Sequence, residues 1–207
     1  MMKLIKAFFI CATLAASMGT NAAFINFDDY NINGFAGQDV NGSASTSGFG
    51  LSLDLDGNTW VSISDIFEID ATSVLYFSFE AAGPQAELYG IGFDNDSRVT
   101  AATLFDIGGT EANSANQFFD YVSGDGRVDF AIDVGSFFTG TFSKLVFILD
   151  ADNLGGTSAS FLDVELCSSN SFCESTSQQS VAQVNSPSAL LIFCLGFGLL
   201  VSRCFRK

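Results

Sequence analysis

Carboxylates are the residues of this sequence best placed to do chemistry, and two short motifs concentrate them. Gly90-Ile91-Gly92-Phe93-Asp94-Asn95-Asp96-Ser97 and Phe147-Ile148-Leu149-Asp150-Ala151-Asp152-Asn153 each run from an apolar stretch into Asp-x-Asp. Calcium takes about six to eight hard oxygen ligands, and carboxylates spaced by two residues in a loop can supply several. Asp94, Asp96, Asp150 and Asp152 are therefore calcium candidates, although neither segment follows the EF-hand pattern. The same residues are also good plain turn formers. Asp28 and Asp29 near the start, with Asp163 near the last expected strand, make a further candidate cluster if the chain ends meet.

Sugar sites set aromatic faces beside polar groups. Trp60, Tyr76, Tyr89 and Tyr121 are the candidates, and ordinary packing is the competing role for each. A carboxylate-pair glycosidase is a third possibility. With 23 acidic residues some pair falls at a suitable distance by chance, so abundance alone argues nothing. Histidine is absent from the sequence. That excludes serine–histidine triads, cysteine–histidine dyads and metal sites that need imidazole.

The chain has 207 residues, enough for one ordinary domain with short appendages. Lys3, Lys6, Arg203, Arg206 and Lys207 lie at the two ends, and only Arg98, Arg127 and Lys144 lie between them. All 23 carboxylates fall within that middle region, which carries a net charge of about −20. Such a body repels phosphate backbones and anionic membrane surfaces, so no nucleic-acid partner is expected.

Alternation is the main signal for the elements that must hold these residues. Leu51, Leu53 and Leu55 alternate with polar neighbours, as do Leu75, Phe77 and Phe79, Val128, Phe130 and Ile132, and Leu162, Val164 and Leu166. Each set gives a strand with one apolar and one polar face. Further strands are expected at 87–93, 101–105 and in the apolar run Leu145-Val146-Phe147-Ile148-Leu149. Short strands divided by Gly, Asn, Asp and Ser favour an all-β fold, an antiparallel β-sandwich or jelly roll. Its expected span is 24–168, with Leu53, Phe77, Phe93, Phe130, Phe147 and Val164 in the core.

The body also carries a series of local motifs in order. They are Gly37-Gln38-Asp39, Gly57-Asn58-Thr59-Trp60, 72–79, 90–96, Thr139-Gly140-Thr141-Phe142 and Leu145-Val146-Phe147. This series is similar to β-sandwich modules appended to secreted bacterial polysaccharide-degrading enzymes, which are taken to be carbohydrate-binding. The resemblance implies a non-catalytic module with a polysaccharide partner, here without an enzyme domain in the same sequence.

Both ends look like addresses. Residues 1–23 read as a signal helix, with Lys3 and Lys6 before the apolar stretch 7–16 and a cut after Ala22 or Ala23 by signal peptidase. Residues 169–186 form a Ser/Gln-rich linker. The segment 187–207 then holds Pro187, an apolar run over 189–201 suited to a short hydrophobic helix, and a basic end with Arg203. The run is shorter than the roughly 20 residues of a comfortable span, so transient membrane anchoring is the expectation. From Val184 through Pro187, then Leu195 to Leu200 and Arg203, the tail resembles the PEP-CTERM sorting signal, with a lone proline in place of Pro-Glu-Pro. The resemblance implies export by a Gram-negative bacterium, an exosortase-type processing enzyme and a destination at the cell surface or in the extracellular matrix. A simple C-terminal anchor is the plainer alternative. Cys167 and Cys173 frame a short Ser/Asn loop, and an oxidising destination makes a disulfide between them plausible.

Two functions fit this reading: a polysaccharide-binding module, and an acidic structural or adhesive surface protein without a specific glycan. The mature protein is expected to begin near Ala23 or Phe24 and to lose its tail at or close to Pro187. Intact-mass analysis of protein from the native host checks this, and a main form that keeps Arg203 to Lys207 would contradict it.

Overall fold

The computed structural model describes residues 20–21, 23–39, 41–111, 116–152, 155–168 and 171–172. Strands follow one another with only short 3-10 turns between them, and no α-helix occurs among the described residues. The first six strands are β1 (Thr20–Asn21), β2 (Asn33–Gly34), β3 (Ser43–Ser47), β4 (Ser52–Asp56), β5 (Thr59–Ile69) and β6 (Val74–Ala82). Then come β7 (Leu88–Asp94), β8 (Leu104–Gly108), β9 (Asn116–Tyr121), β10 (Val128–Ile132), β11 (Gly140–Asp150), β12 (Ser158–Cys167) and β13 (Ser171–Phe172). One sheet has the order β10-β6-β12-β4-β3 and the other β2-β5-β11-β7-β8-β9. This is a β-sandwich.

Its core is the inner faces of both sheets, and the alternating residues fill it as their period requires. Leu53, Phe77, Phe93, Phe130, Phe147 and Val164 are all buried there. The rings interlock across the gap. Phe147 of β11 meets Phe161 of β12 edge-on at 5.1 Å, and Phe79 of β6 lies 5.3 Å from Tyr89 of β7. The apolar run of β11 has a different explanation from alternation. Leu145, Phe147 and Leu149 face the core, while Val146 and Ile148 join Phe35, Trp60, Leu88 and Leu104 in a small cluster on the outer face. A strand covered on both sides reads as continuously apolar. Gly92 is part of that cover: a Cβ there would lie 2.3 Å from the Thr103 carbonyl oxygen, so only glycine lets the 101–103 turn sit on β7.

Four details depart from the sequence expectation. Residues 101–103 form a 3-10 turn, and β8 begins at Leu104. β9, which shows no alternation, forms an edge strand and runs parallel to β8 in a sandwich otherwise paired antiparallel, the short β1–β13 pair apart. The Asn116 carboxamide donates to the carbonyls of Ala102 and Leu104, both at 2.9 Å, and so ties the start of β9 beside the start of β8. In β12 a bulge between Leu162 and Glu165 breaks the expected alternation. Asp163 sits at that bulge with φ 50°, and Phe161 and Val164 supply the inward groups while Leu162 stays half-buried. Last, Thr20–Asn21 pairs in parallel with Ser171–Phe172.

No helix among the described residues is long and apolar enough to cross a membrane. The apolar stretches at 7–16 and 189–201, most of the linker, Pro187 and Arg203 lie outside the described residues, as does Cys173. Cys167 is buried at the end of β12.

Phe77 and Phe147 are 2% and 0% exposed, with little room for the surroundings to collapse onto a deleted ring. Phe77→Ala or Phe147→Ala is expected to cost about 3–5 kcal/mol in denaturant unfolding. A loss under about 1 kcal/mol would place the residue outside a packed core.

Candidate functional site

Strand register decides which carboxylates meet. β11 pairs with β5 on one side and β7 on the other, matching Leu149 to Thr59 and Asp150 to Leu88. The residues just before β5 and β7, Asn58 and Glu87, therefore flank the end of β11. The Glu87 N–H donates to the Asp150 carbonyl at 2.8 Å, and the Asp152 N–H reaches Glu87 Oε2 at 3.4 Å. Carboxylate oxygens of Glu87, Asp150 and Asp152 all lie within 4.8 Å of one another. Asn58 is 3% exposed; its Nδ2 donates to Asp152 Oδ1, while its Oδ1 has no hydrogen-bond partner among the described residues.

This crowding shows in the acidity of Asp150, which is pushed up to about 6. Burial is the largest cause, followed by the negative charges of Asp152, Glu87 and Glu111. The indole N–H of Trp60 pulls in the opposite direction, although it falls short of a well-formed hydrogen bond.

The other expected clusters do not gather in the same way. Asp94 is buried, and its oxygens accept backbone N–H groups of Asn95 (2.7 Å), Asp96 (3.2 Å) and Thr100 (3.2 Å). Asp96 is exposed and accepts the Arg98 N–H at 2.7 Å. These are turn-building bonds of the Asx kind, and they take up three of the carboxylate's roughly four acceptor sites. Asp28 accepts the Thr46 hydroxyl at 2.5 Å, Asp29 is exposed beside it in the chain, and Asp163 pairs with Arg127 at 2.6 Å. Among the described residues, only Glu87, Asp150 and Asp152 form a group of three candidate ligands.

Three of the four expected sugar-stacking residues are buried. Tyr89 and Tyr121 are both 0% exposed. The Tyr89 hydroxyl accepts the Ala86 N–H at 3.1 Å. That of Tyr121 accepts the Ala81 N–H at 3.0 Å and donates to the Gly126 carbonyl at 2.8 Å. Trp60 lies in the outer cluster with 4% exposure. None of the three offers a ring face to a sugar. Tyr76 is half-buried on the outer face of the five-stranded sheet, opposite Glu165 of β12.

The exposed rings are phenylalanines outside the sugar candidates; Phe49 is 97% exposed, and three others share a backing of core rings. Phe118 and Phe119 of β9 and Phe137, at the end of the 134–136 turn, are 37%, 43% and 50% exposed. They are backed by core rings. Phe119 meets Phe130 at 5.3 Å, Phe137 meets Phe105 at 5.1 Å, and Phe118 touches both Phe105 and Phe130. An open depression of about 370 Å³ is lined by Gly109, Thr110 and Glu111 together with Gln117 and Asp120 of β9, which flank Phe118 and Phe119 in sequence. The available signal was the pair of Phe-Phe steps at 118–119 and 137–138. In β9 adjacent residues cannot both point fully inward, and both rings stay part-exposed although each reaches Phe130, while the 137–138 step lies outside any strand, after the 134–136 turn.

No protein-family model matches the chain, and no curated protein does. Among solved structures, a carbohydrate-binding module of family 29 shares 16% identity over 73% of this chain and 88% of its own, with a TM-score of 0.42. A low-affinity xylan-binding module from Roseburia intestinalis shares 12% over 71% of this chain and 95% of its own, with a TM-score of 0.43. The glycoside hydrolase structure of endo-D from Streptococcus pneumoniae shares 11% over 67% of this chain and 21% of its own, again with a TM-score of 0.43. These values assign the chain to no family.

A carboxyl group whose acidity is weakened on folding makes the folded state bind its proton more tightly than the unfolded one. Stability from this group therefore falls as pH rises from about 4 to above 6, where Asp150 must carry its charge. With chelator present, Asp150→Asn is expected to raise the melting midpoint at pH 7.5 and to leave it unchanged below pH ~4. Thermal melts of both proteins across that range check the sign. A variant less stable at pH 7.5 would contradict it.

Proposed function

We propose that this chain is an exported, non-catalytic β-sandwich that binds polysaccharide at the cell surface or in the extracellular matrix. The aromatic edge carries the reading: Phe118, Phe119 and Phe137 stand part-exposed on a rigid backing of Phe105 and Phe130, beside the polar Gln117 and Asp120. Apolar ring faces next to hydrogen-bonding groups suit the two faces of a pyranose, which carry C–H groups and hydroxyls. Export, sorting through the PEP-CTERM-like tail by an exosortase-type enzyme, and a Cys167–Cys173 disulfide belong to the same reading. Calcium belongs to it as a structural ion.

Abundant carboxylates bring some of them together without any catalytic demand, so the group at the end of β11 is no evidence of a glycosidase pair. The alternative, an acidic structural or adhesive protein, draws support from the charge of the body and is separated from the first reading by one measurement.

Affinity electrophoresis against a panel of soluble polysaccharides is that measurement. Retardation by at least one glycan is expected, with loss of about tenfold or more in affinity for Phe118→Ala/Phe119→Ala and little change for Tyr76→Ala. Retardation by no glycan would leave the structural role as the function. Binding that survives loss of all three phenylalanines would move the site elsewhere.

A further inference from the structure

The aromatic edge accounts for neither the acidic end of β11 nor the buried amide beside it. Three carboxylates converge there, and neither ion pair among the described residues reaches them, since both belong to Arg127. Asn58 is held in the same place by the Gly57-Asn58-Thr59 turn into β5, with the Thr59 hydroxyl donating to the Asp56 carbonyl at 2.7 Å. Its side chain is buried against Asp152, yet its carbonyl oxygen has no donor among the described residues. A buried amide oxygen left unpaired costs stability unless some ligand takes it. A cation would supply what this oxygen lacks, and the carboxylates gathered beside the Asn58 side chain favour one.

From this arrangement we infer that Glu87, Asp150, Asp152 and the Asn58 Oδ1 form a divalent-cation site of calcium's class at the junction of β5, β7 and β11. The oxygen spacing suits that ion. Calcium–oxygen bonds of about 2.3–2.6 Å allow two ligands on one ion to stand up to about 5 Å apart, and the carboxylate oxygens lie within 4.8 Å. Three carboxylates and one amide oxygen, with waters on the exposed Asp152 side, make a hard, all-oxygen set of the required number. The ion would tie together three strands that are distant in sequence, by joining the start of two to the end of the third. It deepens the calcium part of the function proposed above and is independent of the polysaccharide part.

Terbium is the probe, because it replaces calcium at oxygen sites and emits when a nearby indole is excited. Trp60 is the sole tryptophan, and its indole N–H faces Asp150. Excitation of the purified chain with terbium chloride should give emission that calcium chloride displaces and matched magnesium does not. Trp60→Phe should abolish the emission while leaving the calcium-induced rise in melting midpoint in place. Glu87→Gln and Asp150→Asn should each weaken calcium binding by about tenfold or more, and Asn58→Asp should tighten it, since affinity follows ligand charge. Asp94→Asn/Asp96→Asn should change nothing. The site is refuted if no calcium-displaceable emission appears, if Glu87→Gln and Asp150→Asn bind calcium as the parent does, or if the response is lost in Asp94→Asn/Asp96→Asn. Polysaccharide retardation in the Glu87→Gln protein reads the other proposal separately, so either can fall while the other stands.

Discussion

The fold depends on aromatic rings meeting across the gap between two sheets. A β-sandwich buries one face of each sheet, and the stability of that contact scales with the apolar area removed from water. Here phenylalanine supplies the area, and edge-on contacts such as Phe147 with Phe161, at 5.1 Å, fix how the sheets lie on each other. Tyr89 and Tyr121 belong to the same network. Each contacts Phe79 and finds a backbone partner for its hydroxyl, so two polar atoms enter the core without being left unpaired. That is why tyrosines with the composition of a sugar platform serve as structural anchors.

Everything at the acidic end follows from where β11 sits in its sheet. It is a central strand, paired with β5 over 140–149 and with β7 over 144–150, and buried on both faces from Leu145 to Leu149. Its register is thus strongly determined, since a slip of one residue would turn Leu145, Phe147 and Leu149 away from the core. The same register sets Asp150 opposite Leu88 and Leu149 opposite Thr59, which leaves Glu87 and Asn58 no other place to go. A cluster of like charges that would otherwise spread apart is held together by hydrophobic burial one residue away.

Much of this was legible in the sequence. Alternation located β4, β6 and β10, and the apolar run located β11, because burial on one or both faces leaves a direct trace in residue type. β9 left no such trace. It is an edge strand whose rings face partly outward, and what holds it is the Asn116 carboxamide on the Ala102 and Leu104 carbonyls. The bulge at Asp163 was also hidden, since a single left-handed residue redirects a strand without changing its composition. At the site, Asp150 and Asp152 were visible as a local motif. Glu87 and Asn58 were not, because their relation to that motif exists only through strand pairing. The Asp94 turn had the same local signature and a different fate. Its carboxylate is absorbed by three backbone N–H groups, a difference that spacing alone does not encode.

The exposed phenylalanines and the negative charge bear on each other. β9 and β10 are edge strands of their respective sheets, and an edge strand with exposed rings is a place where two copies of a chain can pair and aggregate. Asp120, Asp125, Asp129 and Asp133 stand exposed along this same stretch, and Arg127 is the sole cation of that stretch. Two identical edges brought together would set several carboxylates against one another, and like charges directly opposed are destabilising. The same charges are indifferent to an uncharged partner. A surface guarded in this way disfavours pairing with a copy of itself or with a polyanion, and the charges set no such barrier against an uncharged partner.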